Sequence, residues 1–258
     1  MWRLIFTLIL TFFLGQPSCY AEERLALASA LLPPYVYEES GHAKGVAVDI
    51  VRAALNEEGI TLSIVIVPPN RAINMLGGKQ VAGFFPILKN DDRSMFLHFS
   101  QPLAYYQMTL FTRGTGITSF EALKHDNKTY KIGLSQNYIF PEEFQFLLDP
   151  DRHDPMYLTS RLPIELLHLR MLASGRTDIT IMDESIGDYF IHQHKKELAD
   201  IRKIPGARVP QLPIFLGLLK ALPESESTIT RFNQGLSKLF NSPRIHEIYQ
   251  RYGVDSPK

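Results

Sequence analysis

Strand-like and helix-like segments alternate in this chain, twice over, and nothing else in the sequence limits its fold as tightly. Leu25 to Ala30 is a short apolar run followed by Pro33-Pro34. Gly45 then opens a pattern in which Val48, Val51 and Leu55 recur at helical spacing, and Gly59 closes it as a C-cap residue would. Leu62 to Val67 is a β-branched run stopped by Pro68-Pro69, a short helical stretch reaches Gly77-Gly78, and Val81 to Phe85 reads as a strand again. The order β-α-β-α-β is the mark of a mostly parallel sheet covered by helices. It returns later: Lys131 to Leu134 as strand, Pro141 to Leu148 as helix, Ile164 to Ala173 as helix ending before Gly175, and Ile179 to Met182 as strand. The chain therefore reads as α/β, with two lobes of similar build.

Two extended apolar segments, Gln107–Thr112 and Leu212–Leu219, lie between these halves, one outgoing and one returning. Together they predict a two-strand hinge and a discontinuous first lobe. That lobe is expected to hold residues 22–109 and 215–258, and the second lobe residues 110–214. Tyr105 and Tyr106, just before the first segment, read as packing residues. The C-terminal stretch carries Ile229, Phe232, Leu236 and Leu239 at helical spacing, is broken by Pro243, and closes with a last helix reaching about Tyr252.

Residues 1–21 differ from the rest. Arg3 precedes an apolar run from Leu4 to Leu14, Gly15 and Pro17 break it, and Cys19-Tyr20-Ala21 sets small residues where a signal peptidase cuts. The run is too short to span the roughly 30 Å of bilayer hydrocarbon. A cleaved secretory signal and a periplasmic product are predicted. Gln16 stands where a lipoprotein signal wants an aliphatic residue, so Cys19 reads as part of the leader. Cys19 is the chain's sole cysteine, so a mature protein starting at Glu22 has no disulfide, thiol nucleophile or thiolate metal site. Lys+Arg and Asp+Glu both number 27, which gives no net field to hold nucleic acid. There is no HExxH, G-x-S-x-G, P-loop or G-x-G-x-x-G. His192 and His194 sit beside Lys195 and Lys196 and read as a solvated helix end rather than a metal site. No cofactor and no metal are expected.

Several pieces, in order, carry a family resemblance: Pro33-Pro34-Tyr35; Gly45-Val46-Ala47-Val48-Asp49-Ile50; Asp91-Asp92-Arg93 with Phe99-Ser100-Gln101-Pro102-Leu103; Ile132-Gly133-Leu134-Ser135-Gln136-Asn137; and Ser174-Gly175-Arg176-Thr177-Asp178 running into Met182-Asp183-Glu184. In these the chain resembles the amino-acid-type, family 3 extracellular solute-binding proteins of ABC transporters. The resemblance implies two Rossmann-like lobes (the type II periplasmic binding protein fold) around a ligand cleft. It also implies a monomer that binds no nucleic acid, captures a small polar solute such as an amino acid, and hands it to an inner-membrane permease. It places a ligand-carboxylate grip at Arg93, for which a planar guanidinium is suited, and an ammonium contact at Asp183. Asp183 has a competing role as N-cap of a helix starting near Ser185. Ser135, Asn137 and Tyr138 follow a strand and lead to a helix start, where free N–H groups favour anions. Tyr35 is expected as an aromatic wall of the cleft, with packing inside its own lobe as the alternative. Arg71 is a further, weaker candidate.

Two places depart from the family pattern. Asn137-Tyr138 replaces the usual Gly and Ser or Thr, and Pro86 stands where Ser or Thr would donate to the ligand, although proline has no N–H to give. Two other functions fit the same scaffold: a ligand sensor that presents its solute to a membrane receptor, and a dehydratase-like enzyme using a carboxylate such as Asp183 or Glu142.

Overall fold

The computed structural model describes residues 23–136, 138–159 and 163–254; the expected leader, with Cys19, and Asn137 lie outside them. In chain order the elements are β1 (Glu23–Ser29), β2 (Tyr37–Glu39), β3 (His42–Lys44), α1 (Val46–Asn56), β4 (Ile60–Ile66), α2 (Pro69–Gly77) and β5 (Gly83–Leu88). There follow α3 (Asp91–Phe96), β6 (Leu97–Phe99), β7 (Ala104–Tyr106), β8 (Met108–Arg113), α4 (Phe120–His125) and β9 (Lys131–Ser135). After a 3₁₀ helix at Glu142–Leu148 come β10 (Asp154–Leu158), α5 (Ile164–Ala173), β11 (Ile179–Asp183), α6 (Glu184–Gln193), β12 (Ile201–Lys203) and β13 (Leu212–Leu219). The chain then turns into α7 (Ser225–Phe240) and α8 (Arg244–Tyr252).

The strands form two large sheets. The first runs β4-β1-β5-β13-β6, with β7 also pairing β13; the second runs β10-β9-β11-β8-β12. In each, the strands of the β-α-β units pair in parallel, β1 with β4 and β5, and β9 with β10 and β11. The returning strands β13 and β8 enter antiparallel. This is the expected α/β architecture, with a mixed sheet in each half.

The two-strand passage between the sheets is narrower than the sequence suggested. Met108 and Thr109 already pair with Asp183 and Met182 in the second sheet, and Leu212 to Ile214 pair with Tyr106 to Ala104 in the first. The ladder continues across the passage, since Val209 N–H donates to Met108 O at 3.4 Å. The crossings are therefore Gln107 and Pro210–Gln211, while β8 and β13 are full sheet members.

Alternation along a strand sends neighbouring side chains to opposite faces. In β1, Leu27 joins the large core while Ala28 joins a smaller one with Val67, Ala72, Leu76, Val81, Leu97 and Leu219 under α2. On the other face α1 lies against α7 at a very close approach. A Cβ added to Gly235 of α7 would stand 2.1 Å from the Ala54 carbonyl oxygen of α1. Alanine normally gains up to about 1 kcal/mol over glycine in a helix, but here the backbone of α1 must move. Gly235→Ala is expected to cost about 1–3 kcal/mol net, read as a lower urea midpoint at unchanged slope.

Candidate functional site

Between the two sheets lies a cleft of about 540 Å³, in the range of small-molecule sites. Its first-sheet wall includes Leu32, Leu76, Phe84, Pro86, Leu88 and Arg93; its second-sheet wall includes Met108, Tyr138, Glu165, Met182, Asp183 and Ile186. Most of the surface is aliphatic or aromatic. Among the described residues the polar groups are Lys79, Arg93, Tyr106, Gln136, Tyr138, Glu165 and Asp183.

Arg93 sits on the short helix α3 rather than in a loop. The Asn90 side chain caps that helix by accepting from Arg93 N–H at 3.0 Å. The guanidinium turns inward, and its Nη1 donates to Leu88 O at 2.7 Å. Burial pulls its pKa below the ordinary arginine value, yet it stays charged at any ordinary pH.

Asp183 ends β11 and caps α6, as its alternative role required. Its Oδ1 accepts from Ile186 N–H at 3.2 Å and its Oδ2 from Gln107 N–H at 2.7 Å. One carboxylate thus ties the α6 start to the crossing between sheets, while also facing the cleft. Desolvation outweighs these hydrogen bonds and raises its pKa to about 7. Asp183→Asn keeps the shape but offers a single carbonyl oxygen to two buried N–H donors. Below about pH 4, where Asp183 is protonated folded and unfolded alike, the loss is expected to be about 1–3 kcal/mol, measured by denaturation without ligand.

Two expected contacts sit elsewhere. Tyr35 is buried behind the cleft: its ring packs edge-on to Tyr106 at 5.0 Å and its hydroxyl donates to Tyr105 O at 3.3 Å. The tight turn from Leu32 to Val36 folds this tyrosine into the core, so Tyr106, ahead of it, is the ring that reaches the cleft. Ser135 is also buried, with its Oγ 3.1 Å from His168 Nε2. Arg71 is exposed and does not line the cleft.

Sequence reasoning missed two cleft groups. Tyr106 lines the site with a buried hydroxyl that has no hydrogen-bond partner among the described residues. Glu165, in the first turn of α5, is 2% exposed. Its Oε1 accepts from the Tyr138 hydroxyl at 2.7 Å, and its Oε2 has no hydrogen-bond partner among the described residues. Burial raises its pKa from 4.5 to about 7. A signal was available: Glu165 and His168 interrupt the apolar run Ile164 to Leu169 one helical turn apart, so both fall on one face of a buried helix.

A model of the bacterial extracellular solute-binding proteins, family 3, matches residues 26–255. The chain belongs to that family. No curated protein sequence matches this solute-binding protein. Among solved structures it is similar to a histidine kinase sensor domain with similarity to periplasmic binding proteins: TM-score 0.76, 19% identity, covering 92% of this chain and 99% of that one. It is similar also to an ancestral arginine-binding protein bound to arginine, at TM-score 0.74 and 14% identity over 89% of this chain and 97% of that one. The arginine-, lysine-, histidine-binding protein ArtJ from Geobacillus stearothermophilus matches at TM-score 0.72 and 17% identity over 92% and 97% of the two chains. At these identities the likeness is one of fold.

Proposed function

We propose that this protein captures a small amphipathic solute, an amino acid or a related compound, in the cleft between its lobes and delivers it to an ABC importer from the periplasm. The observation that carries the reading is the distribution of charge across the cleft. A guanidinium, Arg93, stands on the first-sheet wall, and two buried carboxyls, Glu165 and Asp183, stand on the second-sheet wall. A molecule bearing opposite charges on an apolar frame answers both walls. The apolar lining shifts the expectation from a strongly polar solute to one with a bulky hydrocarbon part. Arginine-binding proteins among the structural neighbours support the amino-acid class. The kinase sensor domain supports a second reading, a soluble sensor that presents its ligand to a receptor.

Only with the lobes together do groups of both walls reach one ligand, so the ligand must favour the closed form. Native mass spectrometry of freshly purified protein is expected to release a small co-purifying solute. Small-angle scattering is expected to give a smaller radius of gyration when that solute is added back to stripped protein. An unchanged radius at saturation would reject the clamp in favour of a rigid pocket. Loss of the solute's uptake in cells lacking the gene separates transport from sensing, in which uptake would persist.

A further inference from the structure

We propose that Glu165, Tyr138 and Tyr106 form a subsite on the cleft wall that takes the cationic nitrogen of the ligand. The inference rests on the solute-binding reading above and specifies which end of the solute goes where.

The three side chains come from separate elements. Glu165 is in the first turn of α5, Tyr138 follows β9, and Tyr106 ends β7. All three line the cleft. The Tyr138 hydroxyl spends its proton on Glu165 Oε1 at 2.7 Å and so fixes the carboxyl's orientation. That leaves Oε2, buried and without a hydrogen-bond partner among the described residues, and the Tyr106 hydroxyl, also buried and without one among them. The electrostatic neighbours of the Tyr106 hydroxyl are Glu165 and Asp183, so its oxygen stands in the same field.

Among the described residues no cationic group acts on the Glu165 carboxyl; the groups that do are the Tyr138 hydroxyl and its own backbone. His168, one turn along α5, cannot supply the charge. Burial pushes its pKa down to about 4 and keeps it neutral. Asp183, the other carboxyl on this wall, already accepts two backbone N–H groups. Glu165 is thus the acid whose acceptor capacity remains open. A buried carboxylate without a counter-charge is costly, and the cost is relieved when a cation with N–H donors arrives. An ammonium or guanidinium donating to Oε2 and to the Tyr106 oxygen meets both open acceptors at once. Arg93, on the opposite wall, then takes the anionic end.

Two probes of nearly equal shape separate the ends: 2-phenylethylamine, which carries only the cation, and 3-phenylpropionate, which carries only the anion. Titration calorimetry on the full chain near neutral pH is expected to show the amine binding. Glu165→Gln is expected to weaken the amine by about tenfold or more, the size of a charge-assisted contact, and to leave 3-phenylpropionate unchanged or tighter. Tyr106→Phe, a milder change, is expected to weaken the amine a few-fold and to spare the acid. Equal amine affinity in wild type and Glu165→Gln overturns the subsite while leaving the binding reading intact. Equal weakening of both probes by both variants also overturns it, as damage to the cleft at large. Should wild type bind neither probe at millimolar concentration, the subsite and the amphipathic-solute reading both fall.

Discussion

Unliganded protein carrying Glu165→Gln is expected to be more stable than wild type by about 2–3 kcal/mol near pH 8. In the unfolded chain this carboxyl titrates near its ordinary 4.5, and in the folded protein at about 7. Below the lower value both states hold the proton and the group does not affect stability. Between the two values the unfolded chain is ionised and the folded one is not, so folding takes up a proton and stability falls as pH rises. Above the folded value the full penalty is present, on the order of 3 kcal/mol. Asp183, raised from 3.8 to about 7, adds a fall of the same sign over a similar window. Urea midpoints should therefore decline from about pH 5 to pH 8 in wild type, and decline less steeply in Glu165→Gln. Equal slopes in the two proteins would show that Glu165 is not the buried, unneutralised acid the geometry makes it. The gain is the expected signature of a group kept for binding at the expense of stability.

Arg93→Ala is expected to reduce affinity for the co-purifying solute about ten- to hundredfold, a charge-assisted pair being worth about 1.5–3 kcal/mol. The fold should survive. Helix α3 keeps its Asn90 cap, because the cap bonds the Arg93 backbone N–H and not its side chain. Calorimetry with the identified solute, alongside an unfolding curve, reads both quantities. Unchanged affinity would remove Arg93 from the site.

The alternation of strand and helix patterns was enough to read β1, β4 and β5 in the first sheet and β9 and β11 in the second, because binary patterning at periods of two and 3.6 is a local property. Arg93 and Asp183 were legible through motif context, and the cap role of Asp183 through its place before a helix. Other residues depended on pairings far apart in sequence. Whether Tyr105 or Tyr106 faces the cleft follows from the register of β7 on β13, where Tyr105 stands opposite Pro213 and Tyr106 opposite Leu212; neither strand states this alone. Between the two readings of Tyr35, cleft wall or packing, the sequence could not choose, because the turn holding it points its ring inward and a turn's direction is set by what packs behind it. The narrowed passage at Gln107 has the same origin. An apolar extended segment looks alike whether it swings between lobes or sits in the middle of a sheet, as β8 does between β11 and β12.

The position of β13 also fixes an order of assembly. The second sheet draws all its strands from one unbroken stretch, β8 to β12, and can be completed as soon as that stretch is available. The first cannot, because β13 lies between β5 and β6 and is the bridge through which β6 and β7 join. A chain emerging N-terminus first therefore holds β1, β4 and β5 with an open edge until residue 219 is free to insert. Contacts so distant along the chain form late. During that interval the exposed edge of β5 is the molecule's most vulnerable surface to pairing with another chain. The half that begins first is the half that finishes last, and the cleft, which needs both walls, comes into being only when β13 closes the seam.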